Sequence, residues 1–218
     1  MNPSALFALE ENSRDLVAPI RARLTAFCAQ PASHARFLNM LSLMEHIGSR
    51  KIMLSQQRAG LAQRTLRHLA EETRHAYFFK RLAEKLARRP LGYGEAETIA
   101  PASARSYMGR LDATITESLS AGAPELPYLY MSLMIELRAV WLYRLYQEIL
   151  HQQKTGIGLK SVLAEEELHL DSMLARLHEM DRDASRRVEE FISLEDERFR
   201  TLWRAIESDA GAERLAAE

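Results

Sequence analysis

Cysteine is nearly missing from this chain: among 218 residues only Cys28 carries a thiol. A single thiol cannot form an intrachain disulfide, a thiolate zinc site or an iron–sulfur cluster, and it fits a reducing compartment. Proline and glycine are scarce as well, at seven and nine residues, so few positions interrupt a helix. No apolar run is long enough to span a bilayer, and no membrane partner is expected. The early apolar residues Leu6-Phe7-Ala8-Leu9 run into Glu10-Glu11, too soon for a secretory signal, so a cytoplasmic location is expected. Charge of one sign is also lacking: the net charge is −1 and the pI about 6.7. That balance gives no basic footprint, and nucleic acid is not indicated as a partner.

What is present is helical periodicity. The hydrophobic and charged fractions, 47% and 27%, are those of an ordinary globular protein, and 218 residues at 24.9 kDa suffice for one domain with a substantial core. Residues 4–28 read as one amphipathic helix, stopped before Pro31. A second, over 35–57, places Leu38, Leu41, Glu45, Gly48, Ile52 and Ser55 at three- and four-residue steps. Gly60 marks a turn. Over 61–88 the inward stripe is Leu61, Thr65, His68, Glu72, His75, Phe79, Leu82, Leu86, with polar residues in its middle. Residues 89–127 hold four prolines and four glycines and read as an irregular crossover containing a shorter helix near 103–120. The stripe resumes over 127–150 with Leu129, Leu133, Glu136, Val140, Tyr143, Gln147 and Leu150, and over 159–180 with Leu159, Val162, Glu166, His169, Met173 and Leu177. A last helix covers about 183–208. No strand-like alternation, repeat or low-complexity tract appears. The expected fold is all-α, two antiparallel hairpins joined by one long crossover, with extra terminal helices.

Two of these stripes carry the same chemistry. Glu72-x-x-His75 and Glu166-x-x-His169 each put a carboxylate and an imidazole one turn apart on an apolar face, where burial is costly unless something pairs with them. In an antiparallel hairpin, residues equally far from the turn stand level. Glu45 lies 27 residues before Glu72, and Glu136 lies 30 before Glu166, so each hairpin sets one lone glutamate level with one Glu-x-x-His pair. Two divalent ions with bridging carboxylates would satisfy all six groups. A third copy, Glu148-x-x-His151, lies about 18 Å along the helix from Glu136 and off its stripe, and reads as a solvated helix end.

The pattern Glu45, Glu72-x-x-His75, Glu136, Glu166-x-x-His169 resembles the ferritin-like di-iron carboxylate superfamily, which includes ribonucleotide reductase small subunits, rubrerythrins, ferritins, aldehyde-deformylating oxygenases and tRNA-hydroxylating enzymes. Glu166-Glu167-Leu168-His169-Leu170 is especially similar to the second motif of the reductase subunits. The resemblance covers about residues 35–180 and implies a ferritin-like four-helix bundle. It implies Glu45 and Glu136 as terminal ligands, Glu72 and Glu166 as bridges, and His75 and His169 on one metal each. The departures narrow the activity. Phe79 stands where the reductase subunits carry a radical tyrosine, one cysteine cannot supply the rubrerythrin iron domain, and ferritins lack the second histidine.

Oxygen and imidazole donors without thiolate suit two iron ions, with manganese or a mixed manganese–iron pair as alternatives. Glu71 and Glu165 are the candidates for accepting the second ring nitrogen of each ligand histidine, and His68 reads as an outer-shell or substrate-pocket residue. Gly48, one turn beyond Glu45, would leave room above the metals, with Phe79, Val140 and Met173 as apolar walls. The expected activity is oxidation or oxygenation of a small organic substrate with O₂ and an external electron donor. The alternatives are ferroxidase or rubrerythrin-like peroxide chemistry, and a helical scaffold that keeps metals for stability. The amphipathic outer helices are compatible with a homodimer.

Overall fold

The computed structural model describes residues 3–55, 62–119 and 123–217, and in them eight α-helices, one 3-10 turn and no strand. They are α1 (Pro3–Asn12), α2 (Val17–Ala29), α3 (Pro31–Ser55), α4 (Gln63–Ala87), α5 (Pro101–Ser118), α6 (Leu126–Gln152), α7 (Lys160–Met180) and α8 (Ala184–Ala217). The expected turn at Gly60, the stripe's first residue Leu61 and Gly122 in the crossover lie outside the described residues. Proline opens α3 and α5, where its missing N–H leaves no helical bond unmade.

The expected single helix over 4–28 is corrected. The chain leaves α1 at Asn12, makes a 3-10 turn over Arg14–Leu16 and re-enters a helix at Val17. The physical reason is Pro19. In one continuous helix its ring would crowd the carbonyl of Asp15 and it could not donate to that group. Placed instead in the first turn of α2, it loses nothing. The last helix also runs further than expected, to Ala217 rather than 208.

The chain divides into two compact units, one of residues 25–109 and 199–218 and the other of residues 1–24 and 110–198. Helices α2, α5 and α8 contribute a segment to each.

The first unit is built on α3 packed against α4. The pairing is antiparallel. Asn39 Oδ1 accepts from Lys80 Nζ at 2.9 Å, Ser42 Oγ donates to the Ala76 carbonyl at 2.7 Å, and further along α3 Gly48 faces Glu72. The start of the crossover is tied to this pair by α3 side chains. Asn39 Nδ2 reaches the Gly92 and Glu97 carbonyls and Thr98 Oγ1 at 2.7–2.9 Å. Tyr93 bonds Ser42 at 2.8 Å and lies under the Lys80 ammonium. Arg36 spans the Glu95 carbonyl and the Asp209 carboxylate. A stretch rich in glycine and lacking helix thus has its backbone groups satisfied by side chains.

The second unit is built on α6 and α7, also antiparallel: Arg144 pairs with Glu167 at 2.7 Å and Arg176 with Glu125 at 3.3 Å. Consecutive residues Glu136, Leu137 and Arg138, then Val140 to Tyr143, are buried, so α6 is covered on all sides. α7 buries a single stripe, Val162, Glu166, His169, Met173 and Leu177. Within α6 sits Arg138, whose guanidinium takes both oxygens of Glu195 at 2.6–3.1 Å, Asp196 at 3.2 Å and the Ser13 hydroxyl at 2.8 Å. That network locks the chain turn after α1 and the middle of α8 onto α6. It also gives Ser13, the residue at which the expected first helix breaks, a buried role.

Candidate metal centre

Helical spacing decides which groups meet within each unit. In the first, Glu45 on α3 and Glu72 and His75 on α4 are buried, as are Leu41, Ala76 and Phe79 on the same two helices. Each of the three offers a donor atom within 4.8 Å of the other two. His75 turns Nδ1 toward Glu72 Oε1 at 3.8 Å. From the other direction along α4, His68 brings Nε2 to 3.5 Å from the same oxygen and is equally buried. The sequence reading left His68 outside the donor set. Its signal was present, since positions 68, 72 and 75 span two turns on one face. Glu71 is also buried and accepts from Arg67 Nε at 2.9 Å along its own helix.

At Gly48 a Cβ would stand 3.4 Å from Glu72 Oε2, at the edge of ordinary contact.

The second unit repeats the arrangement with shorter spacings. His169 Nδ1 lies 3.1 Å from Glu166 Oε2 on its own helix and 3.3 Å from Glu136 Oε1 on α6. All three residues are buried. The position four before Glu166, matching His68 in α4, is Val162. Glu165 is half-buried. Val140 and Met173, one turn beyond Glu136 and His169, are buried, as is Phe79 one turn beyond His75. Tyr143 and Trp141 are buried too, the Trp141 ring lying 4.9 Å from the Arg138 guanidinium.

The third Glu-x-x-His copy behaves as a solvated helix end. Glu148 pairs with Arg21 at an exposed position, and His151 is exposed. Cys28 Sγ approaches His34 Nε2 at 3.9 Å, but burial pushes the thiol up to about 11 and the imidazole down to about 4. A neutral thiol beside a neutral imidazole is a poor nucleophile.

The chemistry of the donors is consistent across both units. Elsewhere, the buried carboxylates Glu195 and Asp196 face the Arg138 guanidinium. Glu72, Glu136 and Glu166 face imidazoles. In each unit two carboxylates and at least one imidazole are buried together on apolar helix faces, a set that fits a divalent cation preferring oxygen and nitrogen. The buried carboxylate and histidine groups could bind metal ions.

No family model matches the chain, and no similar curated protein or solved structure is found. The helical fold and its two buried carboxylate–imidazole clusters are therefore the basis for any functional reading. Among the described residues, no helix is long and apolar enough to cross a membrane.

Proposed function

We propose that the chain is a non-haem di-iron carboxylate oxidoreductase that uses O₂ to oxidise or oxygenate a small organic substrate. One observation carries this reading: two separate antiparallel helix pairs each bury a glutamate beside a Glu-x-x-His pair, and in each the imidazole turns Nδ1 toward a carboxylate. In this reading α3, α4, α6 and α7 form a ferritin-like four-helix bundle with α5 in its crossover. Glu45, Glu72 and His75 supply one half of the donor set, and Glu136, Glu166 and His169 the other. Two ferrous ions held this way would supply electrons to O₂, an external donor restoring them.

The residues of the chain do the rest. Glu45, Glu72, Glu136 and Glu166 would hold the ions through oxygen and balance their charge. Phe79, Val140 and Met173 keep water away from the donors, which strengthens each electrostatic contact. His75 and His169 would hold the ions as imidazoles, each leaving its other ring nitrogen for an outer acceptor that would fix the ring and its tautomer.

Anaerobic loading with Fe(II), followed by mixing with O₂ and a panel of small organic substrates, tests the reading. Rapid O₂ consumption with a change in the iron spectrum, and substrate-dependent turnover, are expected. O₂ consumption that follows Fe(II) alone, with no organic product, would favour iron handling instead. An absence of O₂ reaction by fully loaded protein would leave a metal-stabilised scaffold.

A further inference from the structure

We propose that His68 is a third imidazole ligand of the metal centre, bound through Nε2 to an ion that it shares with Glu72. This deepens the di-metal reading and rests on it. Three observations lead there, all within the α3–α4 unit.

The first is placement. His68, Glu72 and His75 occupy positions i, i+4 and i+7 of α4, so their side chains project from one face over two turns. His68 is as buried as the glutamate it faces.

The second is distance. His68 Nε2 stands 3.5 Å from Glu72 Oε1, longer than the ~2.7–3.2 Å of a good N–H···O hydrogen bond. Two donors bound to one ion at about 2.1 Å each lie ~3–4 Å apart across the usual range of bond angles. The separation of Glu72 from His75, 3.8 Å, falls in the same range.

The third is grouping. Glu72 stands with Glu45 and His75 among mutually close donor atoms, and His68 approaches the same Glu72 oxygen that His75 does, from one turn earlier on α4. The α6–α7 unit has Val162 at the position equivalent to His68.

The test is long-range ¹H–¹⁵N correlation of the histidine ring nitrogens during titration of the native chain with Zn(II), a diamagnetic ion that accepts the same donors. His68→Gln serves to assign its signals and as an affinity comparison. Three rings are expected to lose a titrating nitrogen to the metal: His68 at Nε2, and His75 and His169 at Nδ1. His68→Gln is expected to weaken Zn(II) binding by tenfold or more, with its helical circular dichroism unchanged. If His75 and His169 bind Zn(II) while His68 Nε2 keeps its proton, the inference is overturned and the di-metal reading stands. If no histidine nitrogen responds to saturating Zn(II), both fail. The native-chain spectra decide the matter even if the variant does not fold.

Discussion

The two helix pairs carry the same three-residue pattern in different surroundings. In the α6–α7 unit the imidazole of His169 is close to two carboxylates, at 3.1 and 3.3 Å, and the helix carrying Glu136 is buried on all sides and clamped by Arg138. In the α3–α4 unit the spacings are longer, 3.5 and 3.8 Å, a second buried histidine stands by Glu72, and a glycine faces that carboxylate. The residues one turn away differ between the units, His68 against Val162 and Gly48 against Ala139, so only the first would offer the proposed centre an extra nitrogen.

The largest expected effect removes one side of the comparison altogether. Glu45→Ala with Glu72→Ala, or Glu136→Ala with Glu166→Ala, should each abolish binding of both ions if the halves act together. Retention of one tightly held ion by either double variant, read by metal analysis, would mean that the pairs bind independently.

Next comes the ionic clamp. Arg138→Met leaves Glu195 and Asp196 buried without their guanidinium, and loss of one partner of such a network costs about 3–5 kcal/mol. Lys80→Met, in the other unit, removes bonds to Asn39 and the Leu91 carbonyl from a half-buried ammonium and should cost about 1–2 kcal/mol. Urea unfolding of the two variants measures the contrast, and equal losses would erase it.

Acid sensitivity is expected to concentrate in the α3–α4 unit. Burial lowers the His34 pKa from 6.5 to about 4. Between those values the unfolded chain binds a proton that the folded chain refuses, so stability falls as pH drops from 6.5 toward 4. The loss sums to about 3 kcal/mol. His34→Gln should flatten that part of the stability–pH curve. An unchanged slope would place the acid-sensitive group elsewhere.

Gly48 gives a graded test. Gly48→Ala should gain about 0.5–1 kcal/mol of helix stability with little change in metal affinity, because its Cβ just contacts Glu72. Gly48→Leu should push the carboxylate aside, costing about 1–3 kcal/mol from overpacking and ~10–100-fold in metal affinity, the usual scale for disturbing a ligand's support. Equal affinities for the two variants would show that Glu72 is free to move. The smallest effect belongs to the third motif copy. Glu148→Ala and His151→Ala should leave metal binding unchanged and stability within about 0.5 kcal/mol.

Much of this was readable from residue periodicity. The stripe on α7 is buried at every position named for it, and the four central helices begin and end within a few residues of their expected bounds. Such patterns survive because burial acts one face at a time. Other features depend on contacts between distant residues and left fainter marks. Ser13 reads like any residue of an amphipathic helix, because its partners Arg138 and Asp196 lie far away in sequence. His68 sat on the right stripe, but spacing alone does not tell a ligand from a hydrogen-bonded core histidine. The division into two units was also hidden, because it runs through the middle of helices α2, α5 and α8 rather than through a linker.

The most direct measurement is the metal content of the chain after anaerobic equilibrium dialysis against micromolar Fe(II), beside Glu45→Ala and Glu136→Ala. Two ions per native chain are expected, with fewer in each variant. Fewer than one ion in the native chain, or the same content in all three proteins, would contradict a shared two-ion centre.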